Sequence, residues 1–363
     1  MHIIISRPGP PMPMRDLEQI SLRLAQENAL TPGYIPDGNG VLDLQQMLNL
    51  TRNGYSVRLV TDRNLISRMS KIAREGCSLS IKERDRTLRI AIDLMAYSQC
   101  LDLIIDPSIS FYELAMTEGR DDANTDIAWF RAADRGGRAG DWVDIAQGRR
   151  ENLVNRNPAD VIDYPLDDMV ARWSKNYIAT LKIASLELQE SSPDQKVISF
   201  YKWLVEDYLF AGPASIFATM YFPSTGKTKK KLLKELRSHD RELAIRGIKN
   251  AAWDITYVSD FVEKVNLSDP YVRYILATGD KKLREMAEVV RVADHVAIGA
   301  HSNISGLFGQ WWGPILSPSV AAVFIEQRKK IDNRPPPEPN ANSKDPIGDM
   351  ISDGEALVRS WNP

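Results

Sequence analysis

Apolar positions recur at helical spacing along most of the chain and are interrupted by short β-branched runs. Met14 to Glu27 predicts a helix, Thr31 to Gly40 a loop and Val41 to Arg52 a second helix. Val57-Arg58-Leu59-Val60-Thr61 reads as a strand closed by Asp62. Leu65, Ile66, Met69, Ile72 and Ala73 mark a helix from Asn64 to Glu75, with Gly76 as its stop. Lys82 to Leu101 carries Leu88, Ile92, Met95 and Ala96 on one face and predicts an amphipathic helix. Leu103-Ile104-Ile105 is a second short strand, stopped by Asp106-Pro107, and Ser110 to Met116 is helical again.

Beyond residue 117 the pattern changes. Residues 117–170 are acidic and rich in Arg-Gly-Asp combinations, which predicts loops. Residues 171–222 are helical and aromatic, and are expected to form a helical core rather than a base-stacking surface. A helix from Ala251 to Val265, a third strand-like run Tyr274-Ile275-Leu276-Ala277-Thr278 and a helix from Lys281 to Val292 follow. The apolar stretch Ile304 to Ile325, interrupted by Gln310, Pro314 and Pro318, predicts a buried strand and helix around a loop rather than a membrane span. Past residue 331 the chain is Pro- and Asn-rich and reads as a disordered linker, ending in a segment, Ile347 to Trp361, suited to docking on a partner or on the body.

Composition narrows the class. Two cysteines in 363 residues exclude a disulfide scaffold and suit a reducing compartment. Ile3 to Ile5 is too short for the apolar core of a signal peptide, so a cytoplasmic location is expected. With 46 Lys and Arg against 48 Asp and Glu, the net charge of −2 argues against a protein that coats nucleic acid by bulk electrostatics. The charge is uneven, however. Lys227 to Lys249 holds nine Lys and Arg against three acids, including Lys227, Lys229, Lys230, Lys231 and Lys234. Such a run is by default a solvated face; here it also suits the rim of a site that holds a phosphate backbone.

Three strand-like runs end beside an acid: Asp62, Asp106 and Asp280. Strands alternating with helices predict an α/β fold with a mainly parallel sheet, whose ligands gather at the carboxyl ends of the strands. Carboxylates gathered there repel one another unless a cation intervenes, and oxygen-only ligation suits Mg²⁺ or Mn²⁺.

Val60-Thr61-Asp62-Arg63-Asn64-Leu65-Ile66 resembles the first motif of PIN-domain nucleases, a strand delivering Asp, any residue, then Asn into a helix. Asp106-Pro107-Ser108-Ile109-Ser110-Phe111-Tyr112-Glu113-Leu114-Ala115 is similar to the second, with a helical Glu-Leu. Asn250-Ala251-Ala252-Trp253-Asp254-Ile255 resembles the third, an Asp near the start of a helix, and Leu276-Ala277-Thr278-Gly279-Asp280 the fourth. The resemblance implies a PIN-like domain with a central, mainly parallel sheet and a metal-dependent nuclease activity, with RNA the favoured substrate. It implies that Asp62, Glu113, Asp254 and Asp280 hold one or two divalent ions, with Asn64 and Thr278 orienting them. It is also compatible with a toxin or defence effector, a regulatory protein partner and a homodimer.

The spacing departs from the family, because 141 residues separate Glu113 from Asp254. The chain is therefore divided into a 1–54 extension, a 55–116 first part, a mostly helical 117–249 insertion, a 250–331 second part and a 332–363 linker and tail. Each acid also has a simpler role: Asp62 and Asp280 suit helix N-caps, and Asp254 suits a helix N-terminus. Glu113 lies mid-helix beside Leu114 and Ala115, where a lone buried acid would be costly. A non-catalytic interaction or nucleic-acid-binding protein on the same scaffold remains the alternative.

Overall fold

The structure is a computed structural model describing residues 13–36, 42–136, 138–166, 171–208, 212–225, 229, 231–296, 301–332 and 344–362. The expectations for Ile3 to Ile5 and for the Pro-rich run Arg334 to Pro339 lie outside these residues. The fold is α/β, with one small mixed sheet flanked by helices. The chain forms two compact units: residues 1–167 with 267–279, and residues 168–266 with 280–363.

The first unit holds the sheet, in which β1 (Leu30–Pro32), β4 (Val272–Ala277), β2 (Ser56–Thr61) and β3 (Ile104–Asp106) lie in that spatial order. β2 runs parallel to both β3 and β4, whereas β1 is antiparallel to β4. Val57, Leu59, Val60 and Thr61 are buried, so β2 is a core strand rather than a one-sided one. β1 overlaps the start of the stretch expected to be a loop. It is an edge strand, where the missing N–H of Pro32 is tolerated.

Helices α1 (Met14–Gln26), α2 (Leu44–Arg52), α3 (Arg63–Glu75), α4 (Arg86–Leu101) and α5 (Ser108–Glu118) complete the expected alternation. The stretch Lys82 to Leu101 is not one amphipathic helix. A 3₁₀ turn, Ile81–Glu83, precedes α4, which starts at the N-cap Asp85, whose carboxylate accepts the Leu88 N–H at 2.8 Å. Every residue from Ile90 to Ser98 is buried, because α1, α3 and α7 (Ala139–Ala146) cover α4 on different sides. The one charge in that run, Asp93, is met by a two-pronged pair from Arg23 of α1 at 2.6 and 2.8 Å.

Residues 117–146 are not loops. They form α6 (Arg120–Gly136) and α7, and Ala123, Ile127, Phe130 and Ala133 of α6 join the core of the first unit. Phe130 meets Phe111 of α5 edge-on at 5.8 Å, and the buried Trp142 indole donates to the Ala133 carbonyl at 3.0 Å. Residues 117–166 thus pack with the sheet, and the inserted unit begins only near residue 168.

The second unit is helical: α8 (Ala171–Glu187), α9 (Pro193–Glu206), α10 (Gly212–Tyr221), α11 (Arg241–Asn266), α12 (Lys281–Val296), α13 (His301–Asp332) and α14 (Pro346–Ser360). Aromatic rings fill it, including Trp173 against Tyr177 at 4.8 Å and Phe324 against Tyr201 and Phe308 at 5.5 and 5.6 Å. Residues 304–325 contain no strand; they form α13, kinked at Gly313. Among the described residues no helix is long and apolar enough to cross a membrane. The closing segment is ordered as α14 and packs on α8 and α11.

Asp126 of α6 is half-buried against α3, and this burial pushes its carboxyl up to about 6. Its folded pKa exceeds the ordinary 3.8, so protonation favours the fold at low pH, and that contribution is lost as pH rises towards 6. Asp126→Asn is therefore expected to match the wild type near pH 4 and to be more stable by ~1–3 kcal/mol at pH 7. Urea unfolding across that range tests it; a difference that does not change with pH would count against the buried carboxyl as its source.

Candidate active site

In the first unit the parallel strands deliver polar residues to one edge of the sheet. Thr61 pairs with Ala277, so Asp62 and Thr278, the next residues, emerge side by side at the carboxyl ends of β2 and β4. The Asp62 N–H extends the ladder to the Ala277 carbonyl at 3.3 Å, and the Thr278 N–H donates to the Ala29 carbonyl at 2.9 Å. Asp62 is 3% exposed and Thr278 is fully buried. One Asp62 oxygen accepts the Leu65 N–H at 2.9 Å as the N-cap of α3, and the other accepts the Thr278 hydroxyl. The carboxylate is thereby oriented from both sides.

Glu113 lies on α5, whose start is tied to β2 by the Ser110 hydroxyl on the Thr61 carbonyl at 2.7 Å. The Glu113 side chain is 17% exposed and faces the Arg63 guanidinium at 3.7 Å. Arg63 also donates to the Thr117 hydroxyl at 2.9 Å and pairs with Glu118, clamping the first turn of α3 to α5. Position 63 is open to any residue in the motif that Asp62 resembles, so nothing in that pattern singles out Arg63. Asn64 is exposed in the first turn of α3, and the Thr278 hydroxyl is bonded to Asp62. Asp106 ends β3, and its carboxylate accepts the Ser108 N–H at 3.1 Å in the turn into α5.

The other two acids belong to the second unit. Asp280 caps α12, accepting the Lys282 N–H at 2.7 Å and the Leu283 N–H at 3.3 Å. Asp254 is half-buried in the middle of α11 rather than near a helix start, because that helix begins at Arg241. Lys282 connects the pair electrostatically. Burial lowers the pKa of its ammonium, the charges of Asp254 and Asp280 raise it, and the ammonium donates to the Lys231 carbonyl. Among the described residues no three His, Cys, Asp or Glu side chains are arranged to hold a metal ion.

The basic stretch is only partly free. Lys227 and Lys230 lie outside the described residues. Lys229 meets the Glu187 carboxylate at 2.9 Å and the Tyr221 ring at 5.0 Å. Glu187 ends α8 and also takes Lys196 at 3.3 Å and Arg237 at 3.5 Å, so three cations converge on one buried carboxylate. Lys231 and Lys234 have exposed side chains. The backbone between them and α11 is close: a Cβ on Gly247 would come within 1.9 Å of the Lys234 carbonyl oxygen, so that helix position requires glycine.

Two substitutions test this geometry. Thr278→Val removes the buried hydroxyl from Asp62 at nearly constant volume, with an expected cost of ~1–3 kcal/mol in chemical unfolding, while Thr278→Ser keeps most of the stability. Glu187→Ala leaves Lys196 and Lys229 without their shared counter-charge and is expected to cost ~3–5 kcal/mol, read by the same method. Compared with known proteins, the chain matches no family model, no curated protein and no solved structure.

Proposed function

We propose that the chain is a divalent-metal-dependent endonuclease of the PIN-like kind, acting on RNA. The observation that supports this most is the buried Asp62 at the carboxyl end of β2, oriented by Thr278 from β4. A carboxylate so placed at the edge of parallel strands has the setting expected of a ligand-binding group in an α/β sheet. In this reading Asp62 and Glu113 of the first unit supply oxygen donors for Mg²⁺ or Mn²⁺. That donor set suits a hard cation. The ion, when bound, would activate a water and neutralise the leaving oxygen of a phosphodiester. Thr278 fixes the Asp62 carboxylate, and Arg63 holds Glu113 in register with the start of α3. The exposed Lys231 and Lys234 side chains are suited to phosphates along the substrate strand.

A second reading has its own support: a non-catalytic interaction protein on the same scaffold. Asp62 and Asp280 both cap helices, and Glu113 faces an arginine, so these acids have structural work without a metal.

Labelled RNA and single-stranded DNA, incubated with the protein and Mn²⁺ or Mg²⁺ or with chelator, separate the two. The nuclease reading expects cleavage of RNA that chelator abolishes. It also expects Asp62→Asn and Glu113→Gln to slow cleavage by about 100-fold or more, as loss of a charge-stabilising group in an active site does. Cleavage by Asp62→Asn at the wild-type rate would remove the proposed site, and no cleavage under any metal would favour the second reading.

A further inference from the structure

The C-terminal helix pairs with Arg241 and Lys249 of α11 and with Arg237 just before it. Glu355 of α14 accepts the Tyr177 hydroxyl at 2.6 Å and pairs with Lys249 at 3.5 Å. The Val358 carbonyl takes two bonds from the Arg241 guanidinium at 2.9 and 3.1 Å. Trp361 lies under Arg241 and Arg237, with 5.0 and 5.6 Å from guanidinium to ring. Arg359 closes the contact on Glu242 at 2.6 Å. The one deeply buried side chain of α14 is Val358, and Gly354 sits so close to Leu181 that a Cβ would meet it at 3.0 Å.

A carboxylate on a lysine, a carbonyl on an arginine and an aromatic face under guanidinium groups are the three things a single-stranded nucleic acid also presents. Its phosphates, base carbonyls and base rings engage lysine, arginine and guanidinium planes in the same way. Residues 344–362 carry four carboxylates against two cations, so the cover is itself acidic. We propose that the face of α8 and α11 beneath α14 is a single-stranded RNA-binding surface, which the C-terminal helix holds closed by occupying it as its ligand would. Arg241 and Lys249 are the cations that α14 releases, Arg237 being 59% exposed already, and the Tyr177 hydroxyl is freed from Glu355. The inference rests on the nucleic-acid reading above, but it concerns binding alone and is measured without metal, so its failure is distinct from failure of the nuclease activity.

The test uses full-length protein and a fluorescein-labelled 20-nucleotide oligouridylate, with anisotropy read in EDTA from 50 to 200 mM salt. Gly354→Leu puts a side chain where Leu181 stands and is expected to lift α14, seen as faster amide exchange over residues 346–360. With the helix lifted, affinity should rise about tenfold at low salt, and the log–log salt slope should steepen by about 1.4, the release expected for two further single-strand contacts. Arg241→Gln in the Gly354→Leu background should reverse much of that gain. If Gly354→Leu alone leaves exchange unchanged, the added Glu355→Lys sets a like charge against Lys249 and provides the lifted state. In the wild type, saturating oligonucleotide should also speed exchange over residues 346–360, since competition is reciprocal. A lifted helix with unchanged affinity and slope, or tight binding that leaves residues 346–360 as protected as before, would overturn the proposal. A protein partner in place of RNA would give the first of these results.

Discussion

The first unit depends on one strand arriving from far along the chain. β4 lies between β1 and β2, pairing parallel with one and antiparallel with the other, so neither half of the sheet is joined without it. Its register also sets the chemistry of the edge, because Thr61 opposite Ala277 is what sets the Thr278 hydroxyl on the Asp62 carboxylate across 216 residues of sequence. A slip of one residue would turn every side chain of β4 to the other face and take the Thr278 hydroxyl from that buried carboxylate. Packing of β4 and orientation of Asp62 are therefore the same constraint, met by one set of backbone bonds.

What could be read in advance follows from where each signal is stored. β2 and β4 carry it locally, in the β-branched runs ending at Thr61 and Ala277, and both are strands. β1 carries none, since Leu30-Thr31-Pro32 is a strand only because β4 offers it a partner. In α6 the spacing of Ala123, Ile127, Phe130 and Ala133 was present but overshadowed by acidic and glycine-containing neighbours that suggested loops. α11 starts at Arg241, inside a stretch whose local signal is its charge, and Gly247 belongs there because the Lys234 carbonyl lies where a side chain would be. Among the candidate site residues, the positions of Asp62, Thr278 and Asp280 at the ends of strands were legible, whereas Asp254 was placed at the wrong point of its helix because that start was missed. Arg63 was invisible, since its partners Glu113, Thr117 and Glu118 lie in another helix.

The charge of the basic stretch shows the same limit from the other side. Counting residues from Lys227 to Lys249 suggests a positive surface, yet Lys229 and Arg237 are drawn to Glu187 and Lys249 to Glu355. Neutralising groups come from positions 187 and 355, outside any local window. A charge run fixes how many cations are present; only the fold decides how many remain for a partner. In the second unit a buried carboxylate at the end of α8 and a carboxylate of α14 take up several of them, which makes cation–carboxylate pairing as much a part of that unit's architecture as its aromatic core.

The position of β4 also sets an order of events during synthesis. At about 5–20 residues per second, a ribosome needs about 10–40 s to travel from Asp62 to Thr278. Once residues 104–106 are made, β2 can pair with β3 on one side but keeps an open edge on the other, a template for pairing with other chains. The nascent chain must therefore either keep that edge occupied by a chaperone or delay the pairing of β2 until residues 272–277 emerge. The Asp62 carboxylate, in turn, acquires its oriented form only when most of the protein has been made.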